Sequence, residues 1–240
     1  MIKAILFDLD GTLLCMDNDV FIKKYFSLLL TKMAPKGYEP KELTKAIMDA
    51  TYKVINNDGT KLNRDCFFDN FEKIMNGKLH TDIDNLEKEF DEFYNHEFNE
   101  AKIVLDKNEG VKDILDYVRS LNLDIIIATT PVFPKTAVKN RIKWIDEDYD
   151  NFKYVTTYEN SHYAKPNPKY YLELLNKNHL ETSEVIMVGN DMVDDIKPCM
   201  ELNIKTFYLD NYPLNDINDY AGPRGNFKDL KEYIAKICNL

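Results

Sequence analysis

The chain has 240 residues, 44% of them hydrophobic and 30% charged, a balance that excludes disorder and fibres and suits a core domain with a modest insertion. Its 41 acidic and 31 basic side chains leave a net charge of −10, so nothing draws it to phosphate backbones or anionic membranes. No apolar run nears the roughly 20 residues of a bilayer span. The opening MIKAILFDLD has a short apolar run interrupted by carboxylates and no small-residue cleavage site, so it reads as a strand and not a signal peptide. Cys15, Cys66, Cys199 and Cys238 form no CxxC pair, which suggests buried thiols in a reducing cytoplasm. No nucleic-acid, membrane or protein partner is indicated.

In chain order, Lys3–Phe7 reads as a first strand, ending in Asp-Leu-Asp-Gly. From about Cys15 to Ala101 apolar residues recur at helical spacing: Phe21, Tyr25, Leu28, Leu29 and Met33, then Phe67, Phe71, Ile74 and Met75, then Leu86, Phe90, Phe93 and Tyr94. Turn signals at Pro35 to Gly37, Asp58-Gly59 and Gly77 separate these runs, and a module of about four helices is expected. After Asp106 helices and strands alternate. A helix face (Val111, Ile114, Leu115, Val118, Leu121) precedes a strand over Ile125–Ala128, and Val138, Ile142 and Ile145 mark the next helix. Strands are expected near Tyr154-Val155, at Val185–Val188 and at Ile204–Leu209, with helices from Pro168 to about Asn178 and from Phe227 through Ile237. Short apolar strands between amphipathic helices argue for an α/β fold with a parallel sheet covered on both faces. The polar stretch Asp210 to Asn226 is long for a loop, and its form stays open. The charge divides evenly: 17 acidic and 12 basic residues fall in positions 16–101, and 24 and 19 elsewhere.

Four segments carry chemistry. Asp8-Leu9-Asp10-Gly11-Thr12 follows a strand, so Asp8 and Asp10 can face one side at the carboxyl edge of the sheet, where ligands of open parallel sheets bind. Gly11 lets the chain turn where a side chain would obstruct. Two close carboxylates call for a hard cation or a shared proton. Thr129-Thr130-Pro131 ends the second strand with hydroxyl donors. In Lys165-Pro166-Asn167-Pro168 an extended Lys precedes an Asn N-cap and a Pro at the first helical position, well placed to neutralise phosphate. Gly189-Asn190-Asp191-Met192-Val193-Asp194-Asp195 offers several oxygen ligands and no His or Cys, which favours Mg²⁺ over zinc. His80, His96, His162 and His179 form no ligand spacing, though His162 lies three residues before Lys165.

Through DLDGTL, IIIATTP, KPNP and VGNDMVDD, in that order, the chain resembles the haloacid dehalogenase superfamily of aspartyl-nucleophile hydrolases. The resemblance implies a doubly wound, Rossmann-like parallel core and Mg²⁺-dependent phosphoryl transfer. It implies Asp8 as nucleophile, Asp10 as general acid/base, and Thr129, Thr130 and Lys165 as phosphate holders. The metal would be held by Asp8, Asp10 and Asp191. Two departures stand out. Asn190 occupies a place where the family often has Asp, so Asn190 or Asp195 would support Asp191, and Thr130 occupies a place where it often has Asn. The long gap between Asp10 and Thr129 places an all-helical cap over 16–101, inserted in a core of 1–15 and 102–240. The expected function is a phosphatase acting on a small phosphorylated metabolite. A phosphomutase or phosphotransferase of the same family, or a non-catalytic binding protein on this scaffold, are the alternatives. A carbon–halogen hydrolase is disfavoured, since such members resemble DxYGT and lack the carboxylate of Asp10. Asp17, Asn18 and Asn99 to Lys102 are hinge candidates, and no cap residue declares a substrate.

Overall fold

A computed structural model describes residues 1–107, 109–216 and 220–239. Six parallel strands form one sheet: β1 Ala4–Phe7, β2 Asp124–Ile127, β3 Tyr154–Val155, β4 Val185–Gly189, β5 Lys205–Leu209 and β6 Arg224–Gly225. Their spatial order is β3-β2-β1-β4-β5-β6. The chain builds outward from β1 to β3, then crosses back to β4 and builds the other way. The order therefore reverses between β1 and β4, where Phe7 pairs with both Ile127 and Val188. Such a reversal opens a crevice at the carboxyl edge of the strands.

Helices cover both faces because the strands bury both sets of alternating side chains. Ile5, Phe7, Ile125, Ile127, Ile186 and Val188 face α5 (Val111–Ser120) and α9 (Phe227–Cys238). Ala4, Leu6, Ile126, Val185 and Met187 face α7 (Pro168–Lys177) and Cys199 of α8 (Lys197–Glu201). Between β1 and α5 the chain forms α1 (Asn18–Met33), α2 (Pro40–Ile55), α3 (Asn63–Met75) and α4 (Ile83–Asn95), followed by a 3₁₀ run over Glu97–Val104. Asp17 caps α1 by accepting from the Val20 N–H at 3.0 Å. The core of this helical block is continuous with one face of the sheet, through Phe21, Tyr25, Phe93 and Phe98. After β2, α6 (Lys135–Lys143) leads to β3. Cys66 and Cys199 are buried free thiols, Cys15 is buried and Cys238 is half-buried. Among the described residues no helix is long and apolar enough to cross a membrane.

Candidate active site

Asp8 leaves β1 at the strand-order reversal, its N–H donating to the Val188 carbonyl at 2.9 Å. The chain then turns tightly: the Leu14 N–H reaches the Leu9 carbonyl at 2.7 Å and the Gly11 N–H the Leu14 carbonyl at 2.8 Å. Gly11 sits at φ +78°, and a Cβ there would lie 2.3 Å from Asn190 Nδ2. Glycine thus permits both the left-handed turn and the close approach of the fourth motif. Gly189 serves the same packing, since a Cβ on it would come within 2.1 Å of an Asp195 carboxylate oxygen.

Residues of the first, second and fourth motifs line one cavity of about 220 Å³: Asp8, Asp10, Thr129, Thr130, Asn190, Asp191, Asp194 and Asp195. Asn18 and Ile22 of α1, Val132, Phe133 and Leu214 complete its wall. Lys165 is buried beneath it, with Nζ 2.8 Å from Asp8 Oδ1 and 2.6 Å from Asp195 Oδ1. Burial opposes its charge, but Asp195 and Asp8 outweigh that and hold the ammonium well above the usual lysine range. Burial, with help from Asp10, pushes the Asp8 carboxyl up against the pull of Lys165. Asn167 caps α7 through the Lys169 N–H at 3.0 Å, with Pro168 at its start and a cis bond between Lys165 and Pro166. The Thr129 carbonyl accepts from Thr156 Oγ1 at 2.6 Å and Tyr170 Oη at 3.0 Å, which fixes the end of β2.

The fourth-motif residues divide their labour. Asn190 Oδ1 accepts from Thr12 Oγ1 at 3.0 Å, and its Nδ2 donates to the Tyr212 carbonyl at 2.6 Å. Asp191 caps a π-type turn, Met192–Ile196, accepting from the Val193 and Asp194 N–H groups at 2.7 and 3.2 Å. Asn215 Nδ2 also donates to both Asp191 oxygens, at 2.9 and 3.0 Å. The polar stretch after β5 therefore braces this motif: the Leu214 N–H reaches the Asn190 carbonyl at 2.8 Å, and the Met192 N–H the Leu214 carbonyl at 3.0 Å. Part of that stretch, 217–219, lies outside the described residues.

Arg141 of α6 was invisible to motif reading. It is fully buried, ion-pairs with Asp10 Oδ2 through Nη1, and stacks its guanidinium 4.5 Å from the Phe133 ring centroid. Its Nε and Nη2, and Asp10 Oδ1, find no hydrogen-bond partner among the described residues. His162 instead pairs with Glu173, Nδ1 to Oε1 at 2.7 Å, and is not among the residues lining the cavity.

No three His, Cys, Asp or Glu side chains among the described residues form a ready-made metal cluster. Mg²⁺ does not need one, being held typically by one or two carboxylates together with water and substrate phosphate. The charge balance suits a cation: Asp8, Asp10, Asp191, Asp194 and Asp195 line the cavity, against the buried cations Lys165 and Arg141. Burial, with Asp191 and Asp8 adding repulsion against the pull of Lys165, pushes the Asp194 carboxyl up to about 6. Hard oxygen donors carrying excess negative charge fit Mg²⁺.

This fold thus gathers a cluster of carboxylates at the strand-order reversal, on the carboxyl edge of a parallel sheet. The profile of the haloacid dehalogenase-like hydrolases matches residues 5–209, and the chain belongs to that family. No curated protein matches it. Among solved structures it is similar to a 2-haloacid dehalogenase from Pseudomonas syringae pv. Tomato (TM-score 0.64, 20% identity, 98% of this chain and 99% of that one). A HAD phosphatase from Thermococcus onnurineus is also similar (TM-score 0.59, 18% identity, 97% and 98%). So is the putative HAD-hydrolase YfnB from Bacillus subtilis, solved with magnesium bound (TM-score 0.56, 16% identity, 100% and 99%). These likenesses share a fold across two different chemistries.

Proposed function

We propose that this chain is a Mg²⁺-dependent phosphatase that hydrolyses a small phosphorylated metabolite through an aspartyl-phosphate on Asp8. The observation that supports it most is Asp10, a second carboxylate in the wall of the same cavity, whose Oδ1 is buried without a partner among the described residues. Cleaving a phosphate ester expels an alkoxide, which must be protonated, whereas a halide leaves as a stable anion. A carboxyl at this position can supply that proton, which the departure of a halide does not require.

In the first step an Asp8 carboxylate oxygen attacks phosphorus, and Asp10, having taken up a proton on its partnerless Oδ1 while Oδ2 faces Arg141, gives that proton to the departing oxygen. Lys165, 2.8 Å from Asp8 Oδ1, fixes that carboxylate and places positive charge beside the transferring group. The Thr129 and Thr130 hydroxyls donate to phosphoryl oxygens, each such donor contributing on the order of 3 kcal/mol. In the second step Asp10, now ionised, takes a proton from water as it attacks the aspartyl-phosphate. Asp8, the Asp10 carbonyl and Asp191, with Asn190 or Asp195 in support, would hold Mg²⁺, which would supply the charge that offsets repulsion between nucleophile and phosphate. The test is hydrolysis of an aryl phosphate by the purified chain. Turnover should need Mg²⁺, fall to background in EDTA and return when Mg²⁺ is restored. Halide release from a 2-haloalkanoate without any phosphate release would overturn the reading.

A further inference from the structure

A second hollow, of about 420 Å³, lies between α1–α4 and the chain after β2. Its volume falls within the range of small-molecule pockets, about 300–1,000 Å³. Ile22, Val132 and Phe133 line both this chamber and the catalytic cavity, so the two adjoin across the same side chains. The chamber wall is largely carbon, with Phe26, Phe67, Phe68 and Phe90 among its aromatic surfaces. It is not sealed core, because Met48 and Tyr52 on its wall are 57% and 63% exposed.

Its polar atoms are few and mostly committed. The Tyr25 and Tyr94 hydroxyls bond each other at 3.0 Å, and Asp91 accepts from Thr136 Oγ1 at 3.0 Å. Asp91 is the one charged side chain among its lining residues. A wall without a cation offers nothing to a second phosphate or a carboxylate, and one poor in free donors leaves the hydroxyls of a sugar unpaired at a cost. An apolar group, by contrast, gains on leaving water, and aromatic walls favour ring stacking.

We propose that this chamber receives the organic part of the substrate, and that the substrate is the phosphate monoester of an apolar, preferably aromatic, alcohol. The inference rests on the phosphatase reading and narrows it. The phosphoryl group sits at Asp8, and the ester oxygen faces Asp10. The carbon skeleton then passes Ile22, Val132 and Phe133 into the chamber.

The test uses phenyl phosphate and its 4-methyl, 4-ethyl and 4-propyl derivatives, whose leaving groups differ little in basicity. With Mg²⁺ present, kcat/KM should rise by about fourfold for each carbon that enters the chamber, and glycerol 3-phosphate should be the poorest substrate. Met48→Glu, at an exposed and fold-tolerant site, should flatten the rise by placing charge on the chamber wall. In parallel, calorimetry should show 4-propylphenol binding the wild-type chain more tightly than phenol, and Met48→Glu should abolish that difference. A flat or falling series, or one left unchanged by Met48→Glu, would overturn the chamber assignment while hydrolysis still upholds the phosphatase. Phenol binding that follows the series without any phosphate release would instead remove the phosphatase reading and leave the apolar site standing.

Discussion

Asp10 and Arg141 pull in two directions at once. The carboxylate must reach a leaving oxygen, yet it is also the counter-ion of a guanidinium with no solvent exposure. Removing one partner of a buried pair typically costs about 3–5 kcal/mol, so Asp10→Asn should lower the melting temperature as well as activity. Its chemical signature is separable from that loss. With an aryl phosphate the first step needs little acid, while breakdown of the intermediate still needs a base. Asp10→Asn should therefore accumulate covalent phosphoenzyme, detected by intact-mass measurement after rapid quenching, and turn over slowly after a burst. Asp8→Asn should show neither burst nor added phosphoryl mass. A phosphorylated Asp8→Asn chain would place the nucleophile elsewhere. Arg141 shows why part of the site was not legible: between Val138 and Ile142 it reads as one more basic residue on a helix. Its role comes from a contact 131 residues distant, which no local spacing announces.

The strands were the most legible elements, because burial on both faces makes them continuous apolar runs. The runs Lys3–Phe7, Ile125–Ala128 and Val185–Val188 each fall within one residue of β1, β2 and β4 at either end. Two elements gave no such signal. α2 buries Leu43, Ala46, Ile47, Ala50 and Val54, a stripe with two alanines that hardly stands out from its polar neighbours. The same helix supplies Ile47, Met48, Thr51, Tyr52 and Ile55 to the apolar chamber, which is why no specificity residue emerged from spacing. The other is the stretch after β5. Its strand, β6, is only Arg224–Gly225 and exists through pairing with Tyr208 and Leu209, while its bracing of the fourth motif runs through Tyr212, Leu214 and Asn215. That bracing predicts a remote effect on metal use. Asn215→Ala frees both Asp191 oxygens from an amide donor and should change the Mg²⁺ concentration for half-maximal activity severalfold, with kcat at saturating Mg²⁺ little altered. Asp191→Ala should raise that concentration further than Asn190→Ala, since a charged oxygen neutralises the ion better than an amide. The reverse order would move the ligand role to Asn190.

Across the whole molecule, the helical block and the sheet are joined by buried polar groups as well as by a shared core. Asn63, at the start of α3, is fully buried. Its Nδ2 donates to the Pro131 carbonyl at 3.2 Å and the Tyr163 carbonyl at 3.1 Å, and its Oδ1 accepts from Asn57 Nδ2 at 2.8 Å. One amide thus ties the block to the segment after β2 and to the segment just before Lys165. Trp144, the chain's single tryptophan, packs against Phe98 with ring centroids 5.0 Å apart, so its fluorescence reports on this seam. A core shared between the halves should make them unfold together, with tryptophan fluorescence and far-ultraviolet circular dichroism giving the same midpoint. Asn63→Leu keeps the side-chain volume but leaves the Pro131 and Tyr163 carbonyls without this donor and one Asn57 N–H unpaired, while Asn57 Nδ2 keeps its bond to the Lys61 carbonyl at 2.9 Å. Each such buried group costs about 1–3 kcal/mol, and some are relieved by water, so a net loss of about 2–4 kcal/mol is expected. For a chain of this size that lowers the melting temperature by roughly 5–10 °C, and both signals should move together. If fluorescence shifts while the dichroism midpoint stays in place, the seam opens independently, and the helical block and the sheet are separate folding units.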